Sequence, residues 1–156
     1  MKKLIFILIL AFLASGARAQ IRTESAHLKL GYATERKQFG VGAQVRLGLT
    51  DALRIAPDAI LFLPKNHTVG LDFNANLEYD IRLQSNVGLY PLIGLSMANT
   101  RFSYRGDSYG NTDFGINLGA GVDYDISKSN YLNVEFRYTF NDWDYASLFV
   151  GYGFKF

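Results

Sequence analysis

Leu148-Phe149-Val150-Gly151-Tyr152-Gly153-Phe154-Lys155-Phe156 ends the chain with an apolar or aromatic side chain at every second position. Successive side chains of a strand point to opposite faces. Leu148, Val150, Tyr152, Phe154 and Phe156 therefore share one side, and Gly151, Gly153 and Lys155 the other. A bilayer covers such a stripe if the strand belongs to a closed barrel, and the rest of the chain must then supply the other strands.

The same alternation runs back through the sequence. Leu28, Leu30 and Tyr32 alternate with His27, Lys29 and Gly31, and Phe39 to Leu49 alternate with Gly40, Gly42, Gln44, Arg46 and Gly48. In a third strand Leu53, Ile55, Ala59, Leu61 and Leu63 face out, with Arg54, Ala56 and Asp58 inside. The reverse phase would put Arg54 in lipid, at about 2 to 4 kcal/mol at mid-depth. Ile60 and Phe62 then point inward as well, and Pro57, with no N–H for the ladder, predicts a bulge or a local break. The fourth strand is the clearest: Val69 to Ile81 at odd positions against Gly70, Asp72, Asn74, Asn76, Glu78 and Asp80. Val87 to Met97 mark a fifth, Phe114 to Ile126 a sixth and Leu132 to Phe140 a seventh, with the C-terminal stretch as the eighth. The expected fold is all-β, an eight-stranded antiparallel up-and-down transmembrane barrel.

Thr50-Asp51, Arg82 to Asn86 and Ser127 to Asn130 read as short periplasmic turns, with both termini on that side. Of the outer connections, Thr34 to Gln38, Pro64 to His67 and Asn141 to Tyr145 are short and Asn99 to Asp113 is long. The long one is polar, aromatic and Gly-rich, and its Arg101, Tyr104, Arg105, Asp107 and Tyr109 are the candidate surface contacts for an extracellular ligand. Aromatic side chains gather in two belts, as at membrane interfaces. Tyr79, Tyr124, Tyr131, Tyr152, Phe154 and Phe156 fall at the inner rim; Tyr32, Phe39, Phe114, Tyr138, Phe140, Trp143 and Tyr145 fall at the outer one.

Lys2 and Lys3, the apolar run Leu4 to Leu13 and the small Ala17 and Ala19 predict a secretory signal peptide over residues 1–19, cleaved before Gln20. The barrel domain then occupies residues 20–156. Without the signal, 13 basic face 14 acidic side chains, so charge gives no reason to expect nucleic acid as a partner. The chain has no Cys, which excludes disulfides, thiolate metal sites and a lipid-bearing cysteine.

An eight-stranded barrel is only wide enough to be filled by its own side chains. Lys29, Arg46, Arg54, Asp58, Glu78, Asp123, Glu135 and Arg137 are the expected polar network, joined by Gln44, Asp72, Asn74, Asn76, Asn117 and Lys155. Arg54 should lie opposite Glu78 and Asp58 opposite Asn74. Arg46 should share Glu78 with Arg54, and Arg137 should separate Glu135 from Asp123. Such a set serves as an ion gate or as a paired polar plug, and the need to pair buried charge favours the plug. For catalysis the chain offers His27, inside by parity, and His67, in a tight outer loop beside Thr68 with Ser96, Ser103 and Asp72 as neighbours. They make no recognisable nucleophile–base motif, so no catalytic residue, cofactor or metal is expected.

With eight strands and a terminal Phe, the chain resembles the small outer-membrane barrels of the OmpA/OmpX type, the barrel-only proteins of Gram-negative bacteria. The resemblance covers Gln20 to Phe156, and its most specific piece is Tyr152-Gly153-Phe154-Lys155-Phe156. It implies that Tyr152, Phe154 and Phe156 form the signal read by the outer-membrane assembly machinery. It further implies a monomer in contact with outer-membrane lipid and lipopolysaccharide, with a non-catalytic role in envelope integrity or adhesion. Three short outer loops depart from the adhesive members, and no peptidoglycan-binding domain accompanies the barrel, which argues against tethering to the wall. The alternatives are a narrow porin-like channel gated by Arg54, Glu78, Glu135 and Arg137, and a lipid-A-modifying enzyme.

Overall fold

The computed structural model of the protein describes residues 21–156. The expected export signal over 1–19 and its cleavage point lie outside the described residues. The strands are β1 (Arg22–Ala33), β2 (Gln38–Gly48), β3 (Leu53–Lys65), β4 (Thr68–Tyr79), β5 (Ile81–Gln84), β6 (Val87–Tyr104), β7 (Asp107–Asp125), β8 (Asn130–Phe140) and β9 (Tyr145–Lys155).

Nine segments make eight staves, because β4 and β5 are one strand interrupted at Asp80. Both pair with β6, and the offset that sets Glu78 opposite Leu92 also sets Ile81 opposite Leu89. Each stave is hydrogen-bonded to its chain neighbour, and β9 pairs antiparallel with β1 from Ser25↔Lys155 to Ala33↔Ser147, which closes the ring. Closure satisfies the backbone of every stave inside the bilayer, where no water could do so.

The alternation is carried as its parity requires. Leu28, Leu30, Phe73, Leu77, Ile93, Leu95, Leu118, Val134, Phe136, Leu148, Val150, Tyr152 and Phe154 are exposed on the outer face. Polar residues occupy the interior. Pro57 sits on the outer face and pairs with Ala75 on β4 without a register shift. On its other side the β2 ladder lacks the pairs between Gln44↔Asp58 and Leu47↔Ile55, and the offset is unchanged across the gap. The outcome is a local break in one ladder and no bulge, so the phase of β3 survives its proline.

Three expectations are corrected. Residues 99–113 are not a loop: β6 and β7 stay paired out to Tyr104↔Asp107, and the connection is a two-residue turn at Arg105 (φ 49°) and Gly106 (φ 94°). Left-handed backbone at both central positions matches the twist of the flanking strands, and glycine supplies it without strain. This hairpin stands above the rim. On one edge β6 pairs with β4 as far as Phe102↔Thr68; on the other, β8 joins β7 only from Ile116, leaving Asp107–Gly115 unpaired there. Second, Arg82 and Gln84 belong to β5 and pair with Gly88 and Val87, so the inner turn is shorter than Arg82 to Asn86. Third, Tyr131 and Tyr145 are absent from the belts and are buried in the lumen. Their parity with Asn133, Glu135 and Arg137, and with Ser147 and Phe149, turns them inward.

Candidate functional site

All eight expected network residues are buried. They form two neutral groups of four charges. In the one nearer the end where β1 begins and β9 ends, Glu78 Oε2 lies 2.6 Å from Arg54 Nε and 3.0 Å from Arg46 Nε, and Asp123 Oδ2 lies 2.8 Å from Arg46 Nη1 and 3.1 Å from Arg54 Nη2. In the other, Asp58 Oδ2 lies 2.8 Å from Lys29 Nζ and 2.6 Å from Arg137 Nη2, while Glu135 Oε1 lies 3.5 Å from Lys29 Nζ and 2.6 Å from Arg137 Nη2. Two cations facing two carboxylates leave no net charge in either group, which is what makes their burial tolerable.

Arg54 opposite Glu78, Asp58 opposite Asn74 and the sharing of Glu78 by two arginines are as expected from register. The expected role of Arg137 is not: Glu135 and Asp123 belong to different groups, and Arg137 pairs Glu135 with Asp58. Register explains the difference, since Glu135 stands opposite Gly121 and Asp123 opposite Asn133.

Neutral side chains couple the groups. Gln44 donates to Glu78 (2.7 Å) and accepts from Lys29 (2.7 Å). The Tyr90 hydroxyl donates to Glu135 (3.0 Å) and accepts from Asn133, whose amide also reaches Asp123 (2.8 Å). The Arg46 and Arg54 guanidiniums lie over the Tyr90 ring at 4.7 and 5.0 Å. Phe149 faces Lys29 and Arg137, and Tyr131 bonds His27 Nδ1 (2.9 Å) and Ser25 (3.1 Å). These inward aromatics were not among the expected filling, although parity would have placed them there. They occupy the space opened by inner-face glycines: a Cβ at Gly121 would collide with the Tyr90 phenol, and one at Gly153 with the Tyr131 ring.

At the outer end Arg36 leaves the β1–β2 turn and enters the barrel, with Asp72 at 3.2 Å and the Phe62 and Tyr145 rings at 4.8 and 4.4 Å. Tyr145 also donates to Asp72. Beyond this cork the turns enclose an open cavity of about 700 Å³. A second cavity of about 460 Å³ opens at the opposite end, where β1 begins and β9 ends, floored by Arg46, Arg54 and Asp123. The packed charged groups lie between the two. At that rim Lys155 pairs with Asp125, and Arg82 with Asp80 and Asp125 at 3.0 Å each. Phe156 is exposed and its N–H donates to the Glu24 carbonyl.

In the β1–β2 turn the Thr34 hydroxyl and the Ala146 N–H both donate to Glu35, holding its carboxyl below the usual glutamate value. On the hairpin, Arg101, Tyr104, Arg105, Asp107 and Tyr109 are all exposed. Cross-strand pairing puts Phe102 beside Tyr109 and Tyr104 beside Asp107 on one face, with Arg101 on the other. His67 packs edge-on against Tyr104 at 5.7 Å. Among the described residues His27 Nδ1 meets the Tyr131 hydroxyl, and neither histidine is hydrogen-bonded to a serine, a threonine or a carboxylate.

A search of curated proteins finds no match. Among solved structures, Neisserial surface protein A superposes with a TM-score of 0.71 at 21% identity, over 86% of this chain and 96% of that one. The N-terminal β-barrel domain of Pseudomonas aeruginosa OprF gives 0.68 at 16% identity (86% and 100%). Ail, the attachment invasion locus protein of Yersinia pestis, gives 0.65 at 15% (86% and 97%). At such identities the likeness is one of fold. The sequence itself matches the family model described as outer membrane protein beta-barrel domain over residues 8–156. A closed eight-stave barrel with an apolar outer face, a charge-paired lumen and that match together make this chain a member of the outer membrane protein beta-barrel domain family.

Proposed function

We propose that this barrel is a non-catalytic outer-membrane protein that supports the envelope and presents the β6–β7 hairpin to the outside as a contact surface. The observation that carries the reading is the pairing of a lumen filled by two neutral charge groups with a single projecting hairpin. A filled lumen leaves the surface as the place for interaction. Arg101, Tyr104, Arg105, Asp107 and Tyr109 form the contact set, exposed aromatics and arginines being the side chains that interfaces favour. Its setting is outer-membrane lipid and lipopolysaccharide, and it acts as a monomer exported by the signal over residues 1–19. Tyr152, Phe154 and Phe156 are the residues presented to the assembly machinery; all three are exposed, the first two on β9 and Phe156 just past its end.

Replacing Arg101–Gly110 by a two-residue turn tests this. The barrel should still fold, shown by heat-modifiable gel mobility, and cell-surface binding should be lost. Retained binding overturns the assignment of the contact surface. The channel reading is tested by planar-bilayer recording: a filled lumen gives no discrete conductance in the wild type, and steps altered in Arg137→Ala would establish a gate instead.

A further inference from the structure

The cavity at the outer mouth is divided by charge. Lys37 lines it from the β1–β2 turn and Lys65 from the end of β3, and Asp142, Trp143 and Asp144 from the β8–β9 turn, which faces the β3–β4 turn across the ring; Asp113 of β7 adds a third carboxylate to that half. The other two charges of the lining, Arg36 and Glu35, have partners of their own, as Asp113 has in the Asn111 amide at 2.9 Å. Arg36 is held by Asp72 between two rings, and Glu35 by Thr34 and Ala146. Lys65 Nζ donates to the Lys37 carbonyl at 2.8 Å, fastening the two cationic turns together.

Trp143 stands exposed on a turn tied by its own hydrogen bonds. Its backbone N–H donates to Asn141 Oδ1 and the Asn141 backbone N–H to Asp144 Oδ1, both at 3.0 Å, so the turn is tied while Trp143 remains 78% exposed. An aromatic face flanked by two carboxylates attracts an ammonium, most strongly one without N–H hydration to lose. Lysine ammoniums, Lys65 on the facing wall and Lys37 on the neighbouring β1–β2 turn, suit a phosphate. A plain anion would meet Asp113, Asp142 and Asp144, and a plain cation would leave Lys37 and Lys65 unanswered.

We propose that the outer mouth binds a zwitterionic ammonium–phosphate group of the phosphocholine class, its ammonium on Trp143 between Asp142 and Asp144 and its phosphate toward Lys37 and Lys65. The cavity, at about 700 Å³, is of the size that holds a small molecule. The group can arrive as a soluble or partner-borne ligand or as the headgroup of a lipid. The inference rests on the proposed contact role only in that the mouth faces outward. The hairpin exchange described above leaves Asp113 in place, so hairpin contact and mouth binding fail separately.

Trp143 is the sole tryptophan of the chain and reports on its own site. Phosphocholine titrated into the full-length barrel in maltoside micelles should change its fluorescence saturably, at least tenfold more tightly than choline or inorganic phosphate. Asp142→Asn with Asp144→Asn should weaken binding at least tenfold, and Lys37→Gln with Lys65→Gln should bring phosphocholine down to the affinity of choline. Heat-modifiable mobility confirms that each variant is folded. Trp143→Ala, followed by calorimetry, should abolish binding. No saturable change, equal affinity for choline, or unchanged binding by the aspartate variant overturns the proposal. The source is then read from nanodiscs. Weaker binding of added phosphocholine in phosphatidylcholine than in phosphatidylglycerol discs supports a lipid headgroup, and equal binding supports a soluble or partner-borne ligand.

Discussion

Arg137 on β8 holds Asp58 on β3 at 2.6 Å across the full width of the lumen: the two strands stand four apart in either direction round the ring of eight staves. Two further ties have the same diametric span, Arg46 on β2 to Asp123 on β7, and Tyr145 on β9 to Asp72 on β4. The filling is thus strung from wall to wall at three levels.

Arg137→Met removes one tie and leaves Asp58 with Lys29 as its one cation beside the Asn74 and Asn76 amides, and Glu135 with Lys29 and Tyr90. Breaking one side of a buried pair costs about 3 to 5 kcal/mol, because a charge is left uncompensated. The lower end of that range is expected here, since Lys29 remains. Urea unfolding followed by gel mobility measures it. Adding Asp58→Asn should recover part of the loss, the mark of direct coupling.

Gly121→Ala drives a methyl group into the Tyr90 phenol and displaces its bonds to Glu135 and Asn133. Overpacking of this kind costs about 1 to 3 kcal/mol. Gly110→Ala, in the projecting hairpin with open space around it, should leave stability unchanged. The contrast between two identical substitutions separates lumen packing from any general effect of glycine.

Glu35 is held below the usual glutamate value by the Thr34 hydroxyl and then by the Ala146 N–H. A group whose folded pKa is depressed stabilises the folded state above its unfolded pKa, and that contribution is lost as pH falls through the folded one. The link between the β1–β2 and β8–β9 turns should therefore hold at neutral pH and loosen on acidification. The Ala146 amide shift in NMR should titrate below the ordinary glutamate range in the wild type and stay flat in Glu35→Gln.

Phe156→Ala separates assembly from stability. Its ring is 79% exposed and its backbone N–H bonds Glu24, so the substitution removes no lumen contact. Refolding into detergent should match the wild type, and the folded fraction in the outer membrane of living cells should fall several-fold. Equal yields in cells would remove Phe156 from the assembly signal.

The strand phases, the closure of β9 on β1 and the membership of the polar network were legible in the sequence, because one face is covered by lipid and a slip of one residue would turn every charge outward. Arg54 opposite Glu78 followed from register alone. Legibility ended where a side chain could reach past its neighbour. Arg137 bonds β3, across the ring, rather than settling between two carboxylates on its own side. Tyr131 and Tyr145 obey parity like any other residue, yet their ring chemistry suits both an interface belt and a buried contact with a polar partner. The hairpin over 99–113 was hidden for a different reason. Its composition is that of a loop, and only the turn at Arg105-Gly106 and the continued ladder make it a strand pair.

The three wall-to-wall ties have a consequence for how the protein comes into being. Strands that face each other across a ring are far apart in an unrolled sheet, so Arg137 meets Asp58, and Arg46 meets Asp123, only once β9 has joined β1. Until that seam forms, the charges have no cross-lumen partner. A half-rolled sheet leaves these charges unpaired, so the polar filling favours the closed ring over the open one.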